Sequence, residues 1–333
     1  MDWSNIYLTE PMDVWKHDLF PIFNKGFITS FVAVSGITGY AILMKQYYLQ
    51  DKIVGLEVSK YIGILKVITI ILIYLGIFYE LNYQSKIYFP EIRIIILGCY
   101  NCIFSIVLLY LTRDKTGETR FIILMYALSL IICFPILFNE ETITIRDSYL
   151  LGTSHSIISF LTHYALTFLL IVTLYSIHNI YKSLFNQFRL RELFQWFVIV
   201  AVVYIASAEL DHLVVINYFS PGLPVETILD NNHKVGFAIL WGSCSFILMY
   251  LGMKWKSRAI RIASLVLFGI TLLKLFIFDI TGLSEGGKIA AFISLGVLLL
   301  IISFMYQKLK KILLEDELKI EAEKGQTNHD ELI

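Results

Sequence analysis

Charged residues are scarce in this chain of 333 residues, in which only 16% are Asp, Glu, Lys or Arg. An average soluble domain has about 25%. The formal net charge is zero, so the sequence predicts no basic surface and no nucleic-acid partner. Cysteine is also rare, and its positions inside apolar runs argue against a disulfide framework: Cys99, Cys102, Cys133 and Cys244. The remaining composition, with 57% hydrophobic residues and a mean hydropathy of +0.70, is that of a membrane protein.

Long apolar runs account for most of the chain. A helix needs about 20 mostly apolar residues to cross a bilayer. The pattern predicts nine such helices and no soluble domain, hence an all-α, polytopic transmembrane bundle in contact with the lipid bilayer. The nine predicted spans cover residues 28–46, 60–80, 91–111, 120–138, 156–177, 195–216, 235–253, 260–279 and 287–306.

Lysine and arginine are distributed unequally between the two sides of this bundle. Alternate joins and the C-terminal tail hold 18 of the 27 basic residues, whereas the opposite side holds 7. Because cytoplasmic loops are enriched in Lys and Arg, the bias predicts an external N-terminus and a cytoplasmic C-terminus. Residues 1–27 are then expected to be an extracytoplasmic segment and residues 308–333 a cytoplasmic tail.

Two halves of the chain resemble each other. A shift of 129 residues aligns 28–81 with 157–210, so that Glu80 meets Glu209. The pattern predicts two parallel four-helix repeats, residues 28–148 and 149–280, followed by a ninth span at 281–307. Parallel repeats occur in some transporter folds, but duplication is also common in proteins without a transport role.

Several ionisable side chains interrupt the apolar runs at one level of the predicted bundle. An ionisable group inside a span is costly, so it usually faces the interior and has a partner. The sequence therefore predicts a polar pocket that opens to the extracytoplasmic side and is built from Glu209, His212, His233, Lys274 and Asp279. Secondary candidates at the same level are Asp211, Glu80, His155 and His163. The competing interpretation is a rim of side chains that pair structurally or reach the headgroups.

A metal site and a redox-active thiol pair are two further possibilities. The spacing of the histidines and carboxylates matches no zinc motif, so neither a metal nor a cofactor is predicted. The thiols of "CYNC" (99–102) lie in a spanning run, where packing is a better interpretation than redox chemistry.

The final third of the chain carries a family resemblance. The segments "IRIASLVLFGITLLKLFIFDI" (260–280) and "KIAAFISLGVLLLIISFMYQK" (288–308) resemble the C-terminal part of bacterial predicted membrane proteins of domain-of-unknown-function family 2339, with wording nearest to Bacteroidota members. "YELNY" (79–83) and "AELDHL" (208–213) fit the family more loosely. The resemblance implies a bacterial inner-membrane protein with many helices, and it supplies no reaction. Members are usually longer, so a short member or a C-terminal portion is expected.

Three functions stay open from the sequence. The first is a transport or lipid- or envelope-related role, with Glu209 and His212 as a protonatable pair. The second is an outer-leaflet transferase acting on lipid-linked or envelope glycan, with Glu209, Asp211 or His212 as general base. The third is a structural subunit that binds a partner in a membrane complex. The first is preferred, and the sequence leans against an enzyme.

Overall fold

The computed structural model describes residue 7, residues 19–47, 52–53, 56–113, 118–153, 156–184 and 188–275, and the isolated positions 285, 289, 293, 296, 297 and 300. Helices dominate this part of the chain, which confirms the all-α prediction. They are α1 Lys25–Tyr47, α2 Val58–Tyr88, α3 Arg93–Leu111, α4 Glu118–Cys133, α5 Asn139–Leu150, α6 Ile157–Leu161, α7 His163–Leu184, α8 Phe188–Tyr218, α9 Val225–Asn231, α10 Phe237–Lys254 and α11 Arg258–Lys274. Two-residue strands, β1 Lys52–Ile53 and β2 Leu56–Glu57, pair antiparallel before α2.

Seven helical stretches are long and apolar enough to cross a membrane in the described part of the chain. They are Lys25–Tyr47, Val58–Tyr88, Pro90–Leu111, Thr119–Leu150, Ile157–Asn179, Glu192–Tyr218 and Val225–Lys254. These coincide with the first seven predicted spans. Helix α11 covers most of the predicted eighth span, whereas the ninth lies almost wholly outside the described residues, so the count of nine stays a prediction.

Two of these stretches contain a π-helical segment, Phe134–Phe138 between α4 and α5 and Asn232–Gly236 between α9 and α10. In the first, Pro135 lacks the N–H that would continue the α-helical hydrogen bonds. The hydrogen bonds of the segment therefore span five residues in place of four. Both segments prolong helices into regions that the sequence pattern assigned to loops. The expected loop "SPGLPVETILDNN" (220–232) contains α9, and the predicted fourth span continues as α5 to Leu150.

Helix α5 was missed because its sequence, "NEETITIRDSYL", is polar in composition. Its apolar and polar residues nevertheless repeat at helical spacing. The side chains of Asn139, Thr142, Ile145 and Arg146 are buried on one face. Burial of this face against the rest of the bundle makes the helix, although the residues alone favour a loop.

The chain divides into two compact units, Met1–Leu223 and Pro224–Ile333. The core of the first unit is formed by α3, α4, α5, α7 and α8 around buried residues such as Cys102, Leu124, Phe160, Leu170 and Ile205. In the second unit, α10 and α11 form an antiparallel hairpin. Gly252 permits their contact, because a Cβ atom there would lie 2.8 Å from Cγ of Arg261. The boundaries of the predicted repeats stay a prediction.

Candidate functional site

Glu209 lies in the C-terminal half of α8 and accepts hydrogen bonds from α7. Oγ1 of Thr167 donates to Oε1 of Glu209 at 2.8 Å, and Nε2 of His163 lies 3.2 Å from Oε2. Thr167 and His163 are four residues apart, so both point from the same face of α7. His163 is 3% exposed and the Glu209 side chain 18% exposed, which places the contact largely out of water.

The other ring nitrogen of His163 fixes where protons can lie. Nδ1 contacts the carbonyl oxygen of Phe160, which can only accept, so Nδ1 carries a hydrogen. The contact between Nε2 and Glu209 then requires one further hydrogen. It belongs either to His163, giving an imidazolium–carboxylate pair, or to Glu209, giving a neutral histidine and a carboxylic acid. The pair therefore holds one exchangeable proton, and its net charge is zero in both forms.

His212 lies three residues beyond Glu209 on α8 and has a different partner. Nη1 of Arg146, on α5, donates to Nδ1 of His212 at 3.2 Å. Because a guanidinium only donates, Nδ1 is the accepting nitrogen and the proton of neutral His212 lies on Nε2. Arg146 also pairs with Asp147, with Nη2 2.8 Å from Oδ1. Arg146 is 1% and His212 2% exposed.

These contacts join into one buried polar cluster. The imidazole rings of His163 and His212 have centroids 5.3 Å apart. The chain Asp147–Arg146–His212–His163–Glu209–Thr167 thus connects α5, α8 and α7, and we call it the histidine–arginine cluster. With Arg146 paired to Asp147, and His163 and Glu209 sharing one proton, its formal charge is zero.

Sequence reasoning found part of this cluster. Glu209, His212 and the secondary candidate His163 are brought together, whereas Asp211 is half-buried elsewhere on α8. Arg146 was missed because it lies in the polar stretch that was interpreted as a loop. The sequence signal for Arg146 was its helical spacing from Thr142 and Ile145, which places the three residues on one side of a helix, and the structure shows that this side is buried.

The other members of the predicted pocket lie in the second unit or outside the described residues. Nζ of Lys274, at the end of α11, donates to the carbonyl oxygen of His233 in the second π-helical segment. Asp279 and His155 fall outside the described residues. Whether these groups share a pocket with Glu209 and His212 stays a prediction.

Glu80, aligned with Glu209 in the proposed repeat, has a different environment. Its carboxylate is 5% exposed and accepts from four neutral donors. These are Oη of Tyr7 at 3.0 Å, Nδ2 of Asn24 at 2.8 Å, the backbone N–H of Ile22 at 3.0 Å and Nε2 of Gln84 at 2.9 Å. The first three belong to the segment before or at the start of α1. We call this arrangement the Glu80 clamp, because it fastens that segment to α2.

Burial and the carboxylate also act on the tyrosine of the clamp. Tyr7 lies outside the seven spans, and removal of its hydroxyl from water raises its pKa. The negative charge of Glu80 and the hydrogen bond to it raise the pKa of Tyr7 further. Tyr7 therefore stays a protonated donor at neutral pH, as the clamp requires.

A second polar group lies among α2, α3 and α4. The hydroxyls of Tyr74 and Tyr126 both donate to Oδ1 of Asn101, at 2.9 and 2.7 Å. The hydroxyl of Tyr100 donates to the carbonyl oxygen of Tyr74 at 2.9 Å. Nδ2 of Asn101 donates to the carbonyl of Leu97 at 2.7 Å, so the amide has partners on both its atoms. This group holds three helices together by hydrogen bonds.

No set of three or more His, Cys, Asp or Glu side chains able to hold a metal occurs among the residues that the structure describes. Cys102 is fully buried in the core of the first unit, where it packs beside α4 and α7.

Comparison with known proteins gives one result. The family model described as "Predicted membrane protein (DUF2339)" matches residues 6–309. The match extends far beyond the C-terminal segments in which the resemblance is visible by eye, and it includes the histidine–arginine cluster and α1. No significant match was found among curated proteins or solved structures.

Proposed function

We propose that this multi-pass protein, which belongs to the family of predicted membrane proteins DUF2339, has a proton-coupled transport role in the bacterial inner membrane. The proposed orientation has the N-terminus outside and the C-terminus in the cytoplasm. The observation that carries the proposal is the contact between Nε2 of His163 and Oε2 of Glu209 inside the bundle, which requires one proton between the two groups.

The surroundings of this pair suit reversible protonation. Loss or gain of one proton changes the charge of the cluster from zero to minus or plus one, in a place where uncompensated charge is costly. A change of protonation therefore favours a different arrangement of the helices that carry the groups. Such coupling between a proton and a helix rearrangement is what a proton-driven transporter requires.

Proton handling explains the geometry better than transferase chemistry. A general base has to come within about 3 Å of the substrate proton that it removes. His163, His212 and Arg146 are each at most 3% exposed, and each is engaged by another protein group. A proton can reach such groups through small rearrangements, whereas a lipid-linked glycan would need a wide opening. The transferase hypothesis therefore ranks second.

Infrared spectroscopy and vesicle flux together test the proposal. The purified full chain is titrated in detergent while the carboxylic-acid stretching band is followed. The chain is then reconstituted in liposomes that contain the pH dye pyranine, under a potassium–valinomycin potential. We expect a titrating carboxylic band and proton entry faster than in empty liposomes. Glu209→Gln is expected to lose the flux and the part of the band that Glu209 contributes, whereas the matched control Glu226→Gln should keep both, because Glu226 is exposed on α9.

Two results would contradict the proposal. One is a wild-type proton flux equal to that of empty liposomes, which would favour the structural-subunit hypothesis. The other is a Glu209→Gln variant whose carboxylic band and flux both equal those of the wild type, which would exclude the His163–Glu209 pair as the protonation site.

A further inference from the structure

An apolar groove of about 260 Å³ lies between α8, which also carries His212, and the helical stretch Thr119–Leu150, which also carries Arg146. One wall is the end of α4 with the first π-helical segment, and the other is α8. The groove is lined by Ile131, Ile132, Phe134, Pro135, Ile136, Phe197, Val200, Ala201, Tyr204 and Ile205. It is independent of the hydrogen bonds that form the histidine–arginine cluster.

The groove has a closed floor and an open edge. Ile131, Phe134 and Ile205 are at most 6% exposed and form its floor, whereas the rim residues Ile136 and Val200 are about 65% exposed. Its two walls are held apart by the Phe134 and Tyr204 rings, which meet edge to face with centroids 6.2 Å apart. The small side chain of Ala201 leaves the space between them. The open edge lies on a spanning surface, which gives access from the hydrocarbon of the bilayer.

The dimensions fit a single hydrocarbon chain. Along α8, the lining extends from Phe197 to Ile205, which is about 12 Å at 1.5 Å per residue. One leaflet of a bilayer provides about 15 Å of hydrocarbon depth. The length of the groove is thus comparable with the hydrocarbon depth of one leaflet, which suits a single acyl chain.

Acidic side chains mark one end of the groove on both walls. Asp211 lies six residues beyond Ile205 on α8, and Glu140 lies four residues beyond Ile136 at the start of α5. These offsets correspond to about 9 Å and 6 Å along the two helices. Asp211 lies seven residues from Tyr204 and Glu140 four residues from Ile136, so each carboxylate shares a helix face with a residue that lines the groove. Glu140 is exposed and Asp211 is half-buried.

We propose that this groove is a binding site for one acyl chain of a phospholipid with an amine headgroup, whose ammonium group lies at Glu140 and Asp211. The order of groups along the lipid matches the order along the helices. The chain occupies the apolar part, the Tyr204 hydroxyl lies where the polar linkage begins, and the carboxylates lie one to two turns further on. Two carboxylates at this end favour a cationic ammonium group and disfavour a headgroup with a net negative charge.

Native mass spectrometry of the purified full chain tests this assignment. The protein is exchanged into mixed micelles with equal amounts of phosphatidylethanolamine and phosphatidylglycerol that have the same acyl chains. We expect the wild type to retain the amine lipid in preference to the anionic one, by about threefold for each acidic group. In the double variant Glu140→Gln/Asp211→Asn, the ratio of the two retained lipids should fall to about one, while the total retained lipid stays the same.

Variants that fill the groove test the chain site separately. Ala201→Phe places a ring in the groove, and Ile136→Trp covers its edge from an exposed position without entering the core. Both should lower retained lipid by about tenfold, the factor that corresponds to loss of a few buried methylenes. The matched control is Val34→Phe, which fills the smaller apolar groove between α1 and α2 and should leave retention unchanged.

Each outcome decides one part of the proposal. Unchanged lipid retention in Ile136→Trp with the variant folded, as judged by gel filtration, overturns the groove as the site. Equal retention of the two lipids by the wild type overturns the amine headgroup, and stronger retention of the anionic lipid does so as well. Loss of proton flux in Glu209→Gln has no bearing on these readings, so the two proposals fail independently.

Discussion

Glutamine in place of glutamate should destabilise the protein much more at position 80 than at position 209. Both residues are largely buried carboxylates, and the proposed repeat aligns them. The difference lies in their partners. All four partners of Glu80 are donors, whereas Glu209 has one donor, Thr167, and one group, His163, that either donates or accepts.

At position 209 the amide can keep each hydrogen bond. Its oxygen accepts from Thr167, and its NH₂ group donates to Nε2 of His163, which is an acceptor in the neutral tautomer with hydrogen on Nδ1. Only the charge-assisted part of the bonds is lost. We expect the free energy of unfolding of Glu209→Gln to change by less than about 1 kcal/mol.

At position 80 neither orientation of the amide fits. With the NH₂ group at the place of Oε1, it meets the backbone N–H of Ile22 and the amide of Gln84. With the NH₂ group at Oε2, the Tyr7 hydroxyl can rotate to accept, but Asn24 loses an acceptor. The better arrangement leaves one unsatisfied contact, at about 1–3 kcal/mol, and weakens two charge-assisted bonds. We expect a loss of about 3 kcal/mol.

The measurement is unfolding of both variants and the wild type by SDS in mixed micelles, followed by circular dichroism. Limited proteolysis before α1 gives a local readout, since release of the Glu80 clamp should expose the segment around Ile22. Equal destabilisation by the two variants would refute the assignment of donors and acceptors in the histidine–arginine cluster. A stable Glu80→Gln would refute the assignment of four donors to the carboxylate in the Glu80 clamp.

Two further substitutions test packing and the buried guanidinium. Gly98→Ala should lower the free energy of unfolding by about 1–3 kcal/mol, because the added Cβ would lie 2.8 Å from the Phe138 ring. Gly242→Ala should be neutral or stabilising, because nothing lies within 4 Å of its added Cβ. Thermal unfolding of the two variants compares these effects directly. Arg146→Met should destabilise by about 1–3 kcal/mol, since it leaves the buried Nδ1 acceptor of His212 without its partner, whereas the carboxylate of Asp147 is partly exposed to solvent. A second substitution, His212→Leu, in the Arg146→Met background should then cost less than it does alone, and strict additivity of the two losses would contradict the contact.

The class of protein, a helical membrane protein, could be predicted from residue type alone. Bilayer hydrocarbon admits helices because their backbone hydrogen bonds are internal. A run of about 20 apolar residues therefore forms a spanning helix whatever segments pack beside it. For this reason the all-α fold and the first seven spans are confirmed. The family resemblance seen in the C-terminal segments is confirmed as well, by a match over residues 6–309.

Helix α5 could not be predicted from residue type. Its polar residues favour a loop in isolation, and the sequence could not show that α8 supplies His212 as a partner for Arg146. Once Arg146 has Asp147 and His212 as partners, the cost of burying the guanidinium is offset and the helix continues to Leu150.

The roles of the two glutamates depended on tertiary structure for the same reason. The sequence determined that Glu80 and Glu209 are carboxylates in spanning helices and therefore need partners. It did not determine which partners, because all of them except Gln84 come from segments 42–73 residues away in the chain. Glu80 is surrounded only by hydrogen-bond donors and fastens the chain before α1. Glu209 instead contacts a histidine, and the two side chains share one proton. The chemistry of a buried carboxylate depends on the hydrogens that face it, and only the packing of the helices decides those.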